Sequence, residues 1–380
     1  MLNRWFSFVL IVVMLLFSGA STAQQKLDTT TSYSISGYID AYYAYYTDSV
    51  GPNNFQKFPS ISPRSNSPSI NTAMINFQYS TDRVRTAAVF HFGDIAAATW
   101  PNPYNAIMEA HVGFKLRKNM WLDAGFFRTH FGTEYLLPVE NITSAVSIGT
   151  FYEPYYESGA RFDYFPIKRL EIQLYLLNGY GTFVENNNKK SLGTNIAWAI
   201  TDNLCLGYTN YIGDDSPTGT PLVHTRIHQN AYINYQYKKW KLVAGGDYCV
   251  QMHSDIKDES KTGVMSSGLA TLKYQCNNKF GIYGRAEYFY DPNAIMSVRI
   301  TDYTGKATGY KVAGGSLGAE YKPTPESYVR LEGRRLQMDK DQYIFNYNGS
   351  LYNNRYEIMV NAGVSFDLLR GVRTRVIAEQ

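Results

Sequence analysis

The 380-residue chain reads as an all-β transmembrane protein. The expected fold is an antiparallel up-and-down β-barrel of about 16 strands with short periplasmic turns and long extracellular loops. Three observations lead there. Hydrophobicity alternates with a period of two along nearly the whole chain. The breaks between the alternating segments are short and long in turn. The composition has 33 Tyr, 20 Phe and 30 Gly against 14 Pro and 3 Cys, which suits strands bounded by aromatic belts.

The period is clearest in "IMEAHVGFKLRKNMWLDAGFF", Ile107 to Phe127. Met108, Ala110, Val112, Phe114 and Leu116 fall on one face, and Glu109, His111, Gly113 and Lys115 on the other. On a helix no apolar face would survive this order. Arg117-Lys118-Asn119 is a polar break, after which Leu122, Ala124 and Phe126 resume opposite Asp123 and Gly125. Two strands and a tight turn make a hairpin.

The remaining strands follow in order. Residues 33–46 align Ile35, Ile39, Ala41, Tyr43 and Tyr45. Residues 70–80 align Ala73, Ile75, Phe77 and Tyr79, and 84–93 align Val84, Ala88, Phe90 and Phe92. Residues 155–164 set Tyr156, Ala160, Phe162 and Tyr164 against Glu157, Arg161 and Asp163. Residues 170–178 set Leu170, Ile172, Leu174 and Leu176 against Glu171 and Gln173. Segments 192–200 and 204–212 come next, the first with Ile196 and Trp198. Residues 226–237 oppose Ile227, Ala231, Ile233 and Tyr235 to Arg226, His228, Asn230 and Asn234. Residues 240–251 oppose Trp240, Leu242, Ala244 and Tyr248 to Lys241, Asp247 and Gln251. Segment 264–274 alternates more weakly. Residues 280–291 oppose Ile282, Ala286 and Tyr288 to Arg285, Glu287 and Asp291. Segments 310–321, 328–338 and 356–368 complete the set, and the last aligns Ile358, Val360, Ala362, Val364 and Phe366.

Breaks of two to six residues alternate with loops such as 131–154, 292–309 and 339–355. Ten residues of strand reach roughly 33 Å, enough, when tilted, to cover the apolar band of about 25 Å. A closed barrel leaves no unpaired edge, which lipid demands of a sheet. A soluble β-sandwich or propeller would alternate too. It would not produce the loop asymmetry or so many charges on the inner face.

The chain opens with Arg4, an apolar run from Trp5 to Phe17 and the small residues Ser21-Thr22-Ala23. This is the pattern of a signal peptide over residues 1–23, too short to span a bilayer. Residues 24–380 then form a single barrel domain, with 369–380 either a periplasmic tail or more of the last strand. The net charge of +4 is too small to imply nucleic acid. Cys205, Cys249 and Cys276 make no disulfide framework and no CxxC pair.

Several short motifs carry a family resemblance. "GFFRTHFGTE" (125–134), "NGYG" (178–181), "RAEYFYDP" (285–292) and "RLEGR" (330–334) resemble segments of the OmpL-like β-barrel porins of Bacteroidota outer membranes. Phe126 departs from the polar residue that often follows the first Gly. The resemblance spans most of the mature chain. It implies an outer-membrane pore for small hydrophilic solutes, in contact with outer-membrane lipid, and does not identify a substrate. A homo-oligomer such as a trimer fits this class.

The inward polar face then lines a wet lumen. The pore-lining candidates are Arg285, Glu287, Arg330, Glu332, Arg334, Arg161, Asp163, Glu109 and Lys115. They either brace the wall as cross-strand ion pairs or set the field that selects ions. Loop 131–154 carries Glu134, Glu140 and Glu153 among apolar residues. It is the candidate constriction, folded inward to face a strip of Arg285, Arg330 and Arg334. No cofactor, metal or catalytic residue is expected. His224 and His228 have a metal-like spacing but share a strand and lack a following acid. The rivals to a porin are a plugged barrel acting as receptor or adhesin, and an outer-membrane hydrolase.

Overall fold

A computed structural model describes residues 28–48, 50–51 and 54–376. The expected signal peptide lies outside the described residues. The strands are β1 (Asp28–Tyr46), β2 (Ser69–Ser80), β3 (Val84–Phe92), β4 (Ile107–Arg117), β5 (Met120–Arg128), β6 (Tyr156–Ile167), β7 (Leu170–Leu177), β8 (Ser191–Thr201), β9 (Leu204–Asp214), β10 (Thr225–Tyr237), β11 (Trp240–Gln251), β12 (Gly263–Gln275), β13 (Phe280–Tyr290), β14 (Ile300–Thr301), β15 (Ala307–Thr308), β16 (Lys311–Tyr321), β17 (Ser327–Met338), β18 (Phe345–Tyr347), β19 (Ser350–Tyr352) and β20 (Asn354–Val376). Sixteen of them close one antiparallel barrel, while β14–β15 and β18–β19 are separate two-stranded sheets in long loops. Two short helices, α1 (Asp94–Thr99) and α2 (Ile148–Tyr152), also sit in loops.

Closure is made by β20 on β1, paired from Asp28↔Val376 to Tyr46↔Glu357 with one shift of register between Ile35 and Ser36. It gives every barrel strand two neighbours, so the wall has no open edge. β20 runs past the point where apolar alternation stops, and 369–376 are strand, not tail. Pairing with 28–35 of β1 carries it on, although Arg370 interrupts the hydrophobic pattern.

The alternation becomes a lipid face and a lumen face. Leu317, Ile358 and Leu331 are 76, 55 and 54 % exposed on the outside. Their neighbours Ser316, Glu357 and Arg330 point inward and are buried. One expected lipid-facing residue turns the other way. Met108 is 1 % exposed. A bulge lets Val89 pair with Glu109 and Phe90 with Ile107, leaving Met108 without a ladder partner. It packs with Ile95 and Trp100 instead. Phe126 stays on the outer face, but Tyr104 and Phe183 cover it.

The long loops fill part of the lumen. Phe58, Ile295, Tyr310 and Phe345 from loops pack with Phe289, Val312 and Leu336 from the wall. Beside them Arg355, fully buried, stacks on Tyr46 at 4.2 Å and bonds Asp48 and Glu357.

Candidate functional site: a loop pinned across the lumen

Residues 129–155 join β5 to β6 yet reach the opposite wall. On β13, Arg285 donates to Glu134 Oε1 (2.9 Å) and to the carbonyl of Ala145 (2.6 Å). On β17, Arg330 donates to the carbonyls of Pro138 (2.7 Å), Asn141 (2.9 Å) and Thr143 (3.1 Å). The wall also accepts from the loop. Glu287 takes the backbone N–H of Ile148 at 2.9 Å, and Glu332 takes that of Ser144 at 2.6 Å. The Ser144 hydroxyl meets Asn361 of β20. Guanidinium forks suit this task, because irregular backbone inside a barrel must find partners for its carbonyls.

The two ends of the loop cross by way of β8 to β12. His130 bonds Glu157 (2.8 Å) and the carbonyl of Asn210 (2.7 Å). Burial pulls the His130 pKa down, but the Glu157 carboxylate outweighs it and the net shift is upward. Thr133 and Glu153 both bond Asn230 of β10. Burial, and then the neighbouring Asp247 carboxylate, push the Glu153 carboxyl well above the ordinary range. Small wall residues make room. A Cβ at Gly193 would meet the His130 ring at 2.9 Å, and one at Gly245 would strike Thr133.

The wall beside the loop's own strands is different. Arg85 of β3 bonds both Asp123 and Asp163. Arg161 reaches Asp163 at 3.0 Å and stacks over Phe127 at 4.8 Å. Glu109 and His111 are 3.2 Å apart. From the loop side, Arg128 donates to Glu140 at 2.7 Å. Side-chain exposure stays at 23 % for Arg85, 16 % for Arg161, 18 % for Glu109, 32 % for Arg128 and 29 % for Glu140. Lys115 is exposed and lies over Trp121 at 5.7 Å.

The expected pore-lining set therefore splits. Arg285, Glu287, Arg330, Glu332 and Arg334 are on the inward face, but none is more than 7 % exposed. The loop lies directly on the first four, which meet its carbonyls, N–H groups and the Glu134 carboxylate in place of open water. Arg334 holds Glu287 at 2.8 Å and Glu357 at 3.5 Å. Arg161, Asp163, Glu109 and Lys115 gather on the other wall. Of the loop acids, Glu134 pairs with Arg285, Glu140 with Arg128, and Glu153 lies beside Asp247. The loop does fold inward to the arginine strip, but of its acids only Glu134 reaches it, and it does so in direct contact. Sequence reading passed over Arg85, Arg128, Glu320 and Asn361. Arg85 shares its face with Ala87 and Val89, and Glu320 with Ser316 and Gly318, so neither face announces itself as polar.

His228 and Ser267 both bond Asp247, at 3.2 and 2.6 Å. The carboxylate sits between them, so within this trio no hydroxyl-to-imidazole bond is formed, whereas Ser254 Oγ and His224 Nδ1 lie 3.1 Å apart at the extracellular end. Among the described residues no group of three His, Cys, Asp or Glu could hold a metal.

A closed 16-strand barrel with an inward loop, polar within and apolar without, defines the class of outer-membrane channels. The chain belongs to the family described as "Putative beta-barrel porin-2, OmpL-like", whose profile matches residues 32–366. None of the curated proteins compared matches it in sequence. Solved structures share the fold at low identity. The outer membrane channel DcaP of Acinetobacter baumannii aligns with TM-score 0.57 and 12 % identity, over 91 % of this chain and 100 % of its own. OmpF of Salmonella typhi gives 0.56 and 11 %, over 88 and 97 %. OmpT of Vibrio cholerae gives 0.55 and 12 %, over 91 and 100 %.

Proposed function

We propose that this outer-membrane porin passes small hydrophilic solutes and ions on the β3–β6 side of loop 129–155. The observation that carries the reading is the contrast between the walls. The loop is bonded to β13, β17 and β20, while charged groups on β3 to β6 keep contact with solvent. The constriction is then bounded by Glu140 and Arg128 on one side and by Glu109, His111, Arg85, Arg161 and Lys115 on the other. Charges of both signs face it, and the local field orients solutes more than it excludes one ion. The same reading makes the chain a conduit and not a catalyst. Assembly as a trimer belongs to it, and one of the Vibrio cholerae OmpT structures is a trimer form.

The packed apolar cluster around Phe58, Tyr310 and Phe345 favours a second reading, a plugged barrel that serves as a surface receptor. Liposome swelling separates the two. Reconstituted porin should admit erythritol and glucose at rates that fall with solute size, and impermeability to both would refute the porin reading.

A further inference from the structure

At the extracellular ends of β9 to β13, three loops border an open cavity of about 470 Å³. That lies within the usual range for small-molecule sites. Its walls bring both signs of charge together: Asp215, Asp255 and Glu259 with Arg226 and Arg299, beside the imidazoles of His224 and His253. None of the residues lining it is Trp, Tyr or Phe, the large aromatic faces on which a sugar ring stacks.

Its floor is rigid. Arg226 stacks over Tyr180 at 4.7 Å and donates to Gln251 (2.9 Å) and to the carbonyl of Ile295 (3.2 Å). Asp215 accepts the backbone N–H of Tyr180 at 3.0 Å through Oδ1. Its Oδ2 is buried and accepts no hydrogen bond, with only Arg226 at 3.8 Å. The Asp215 side chain as a whole keeps 22 % of its surface exposed and lines the cavity. The rim is uncommitted. Glu259 and Arg299 come from different loops, are exposed, and make no ion pair among the described residues. Three carboxylates, Asp215, Asp255 and Glu259, repel a simple anion, and Arg226 and Arg299 offset two of them for a simple cation. A solute carrying one charge of each sign meets a partner for both.

We propose that this cavity is a capture site for small zwitterions, α-amino acids or short peptides, binding their ammonium through Asp215 and Glu259 and their carboxylate through Arg226 and Arg299. The proposal deepens the porin reading, since it names the solute class that would be concentrated above the constriction.

The test is a saturation-transfer NMR titration of the full barrel in detergent, with glycylglycine as probe and uncharged erythritol as the size-matched control. The expected result is a saturable glycylglycine signal, absent for erythritol. Glu259→Gln and Arg299→Gln, both on the rim, should each weaken it by about fivefold, the upper end for exposed ion pairs. A glycylglycine signal that does not saturate, or that is equal in the three proteins, overturns the site. Erythritol swelling of liposomes reads the pore separately, so loss of capture and loss of conduction remain distinguishable.

Discussion

On β13 and β17 the side chains of Arg285, Arg330 and Arg334 are 0, 4 and 3 % exposed. On β3 and β6 those of Arg85 and Arg161 are 23 and 16 % exposed. The strands present arginine and carboxylate in the same inward positions on both walls. What separates them is the loop, which takes one wall as its foundation and leaves the other to solvent. A guanidinium that holds backbone carbonyls is structural, and one that keeps water beside it remains available to a passing ion. The identity of a lumen residue therefore does not fix its role, which depends on which wall the inserted segment chooses.

The comparison breaks most severely at its foundation. Arg285→Ala leaves the buried Glu134 without its guanidinium and Glu287 with Arg334 alone. Losing one partner of a buried ionic network costs about 3–5 kcal/mol. A matching fall in the urea midpoint is expected, together with noisy, enlarged single-channel currents as the loop comes free. Arg330→Ala should act in the same direction.

A steric variant attacks the same contact without removing charge. Gly245→Leu drives a side chain into Thr133. Overpacking of this kind costs about 1–3 kcal/mol, and the N-terminal arm of the loop must shift. Conductance should change while the β3–β6 pairs, and with them ion preference, stay as they are.

How much of this was legible in the sequence follows from the same contrast. Alternation depends on local chain geometry, so the strands and the position of Arg285, Glu287 and Arg330 on the inner face could be read directly. Met108 could not, because its bulge arises from a mismatch with β3 and not from its own neighbours. The short helix α2 and the hairpins β14–β15 and β18–β19 are too brief to show a period. Contact of Glu134 with Arg285 spans 151 positions, and no spacing rule joins them. The inward fold of the loop was suggested by its length and apolar content. The closed contact that replaces an open gap was not, since it depends on carbonyls, which every residue carries.

A third test concerns pH. The Glu153 carboxyl is held well above its ordinary value near 4.5. It binds a proton more tightly in the folded barrel than in the unfolded chain. The contribution of this group to stability is thus fully present below that ordinary value and falls as pH rises towards the raised one, by at most about 1.4 kcal/mol per pH unit. Urea unfolding of the wild type across this range should show the slope, and Glu153→Gln should flatten it.

The smallest effect on stability is expected at the open wall. Arg128 and Glu140 are about one-third exposed, and such a pair contributes roughly 0–1 kcal/mol. Arg128→Gln and Glu140→Gln should leave the urea midpoint nearly unchanged. They should move the zero-current potential in a salt gradient in opposite directions, the first towards cations and the second towards anions. Equal shifts from exposed charges outside the lumen would remove the special role of this pair.

Single-channel conductance after deletion of residues 140–147 tests the central claim most directly. These residues carry Glu140 and the segment that Arg330, Glu332 and Asn361 hold against the far wall. If the pinned loop sets the pore, the shortened barrel should conduct several-fold more current in the same salt and lose its sensitivity to Arg128→Gln. An unchanged conductance in a folded, heat-resistant barrel would contradict the claim.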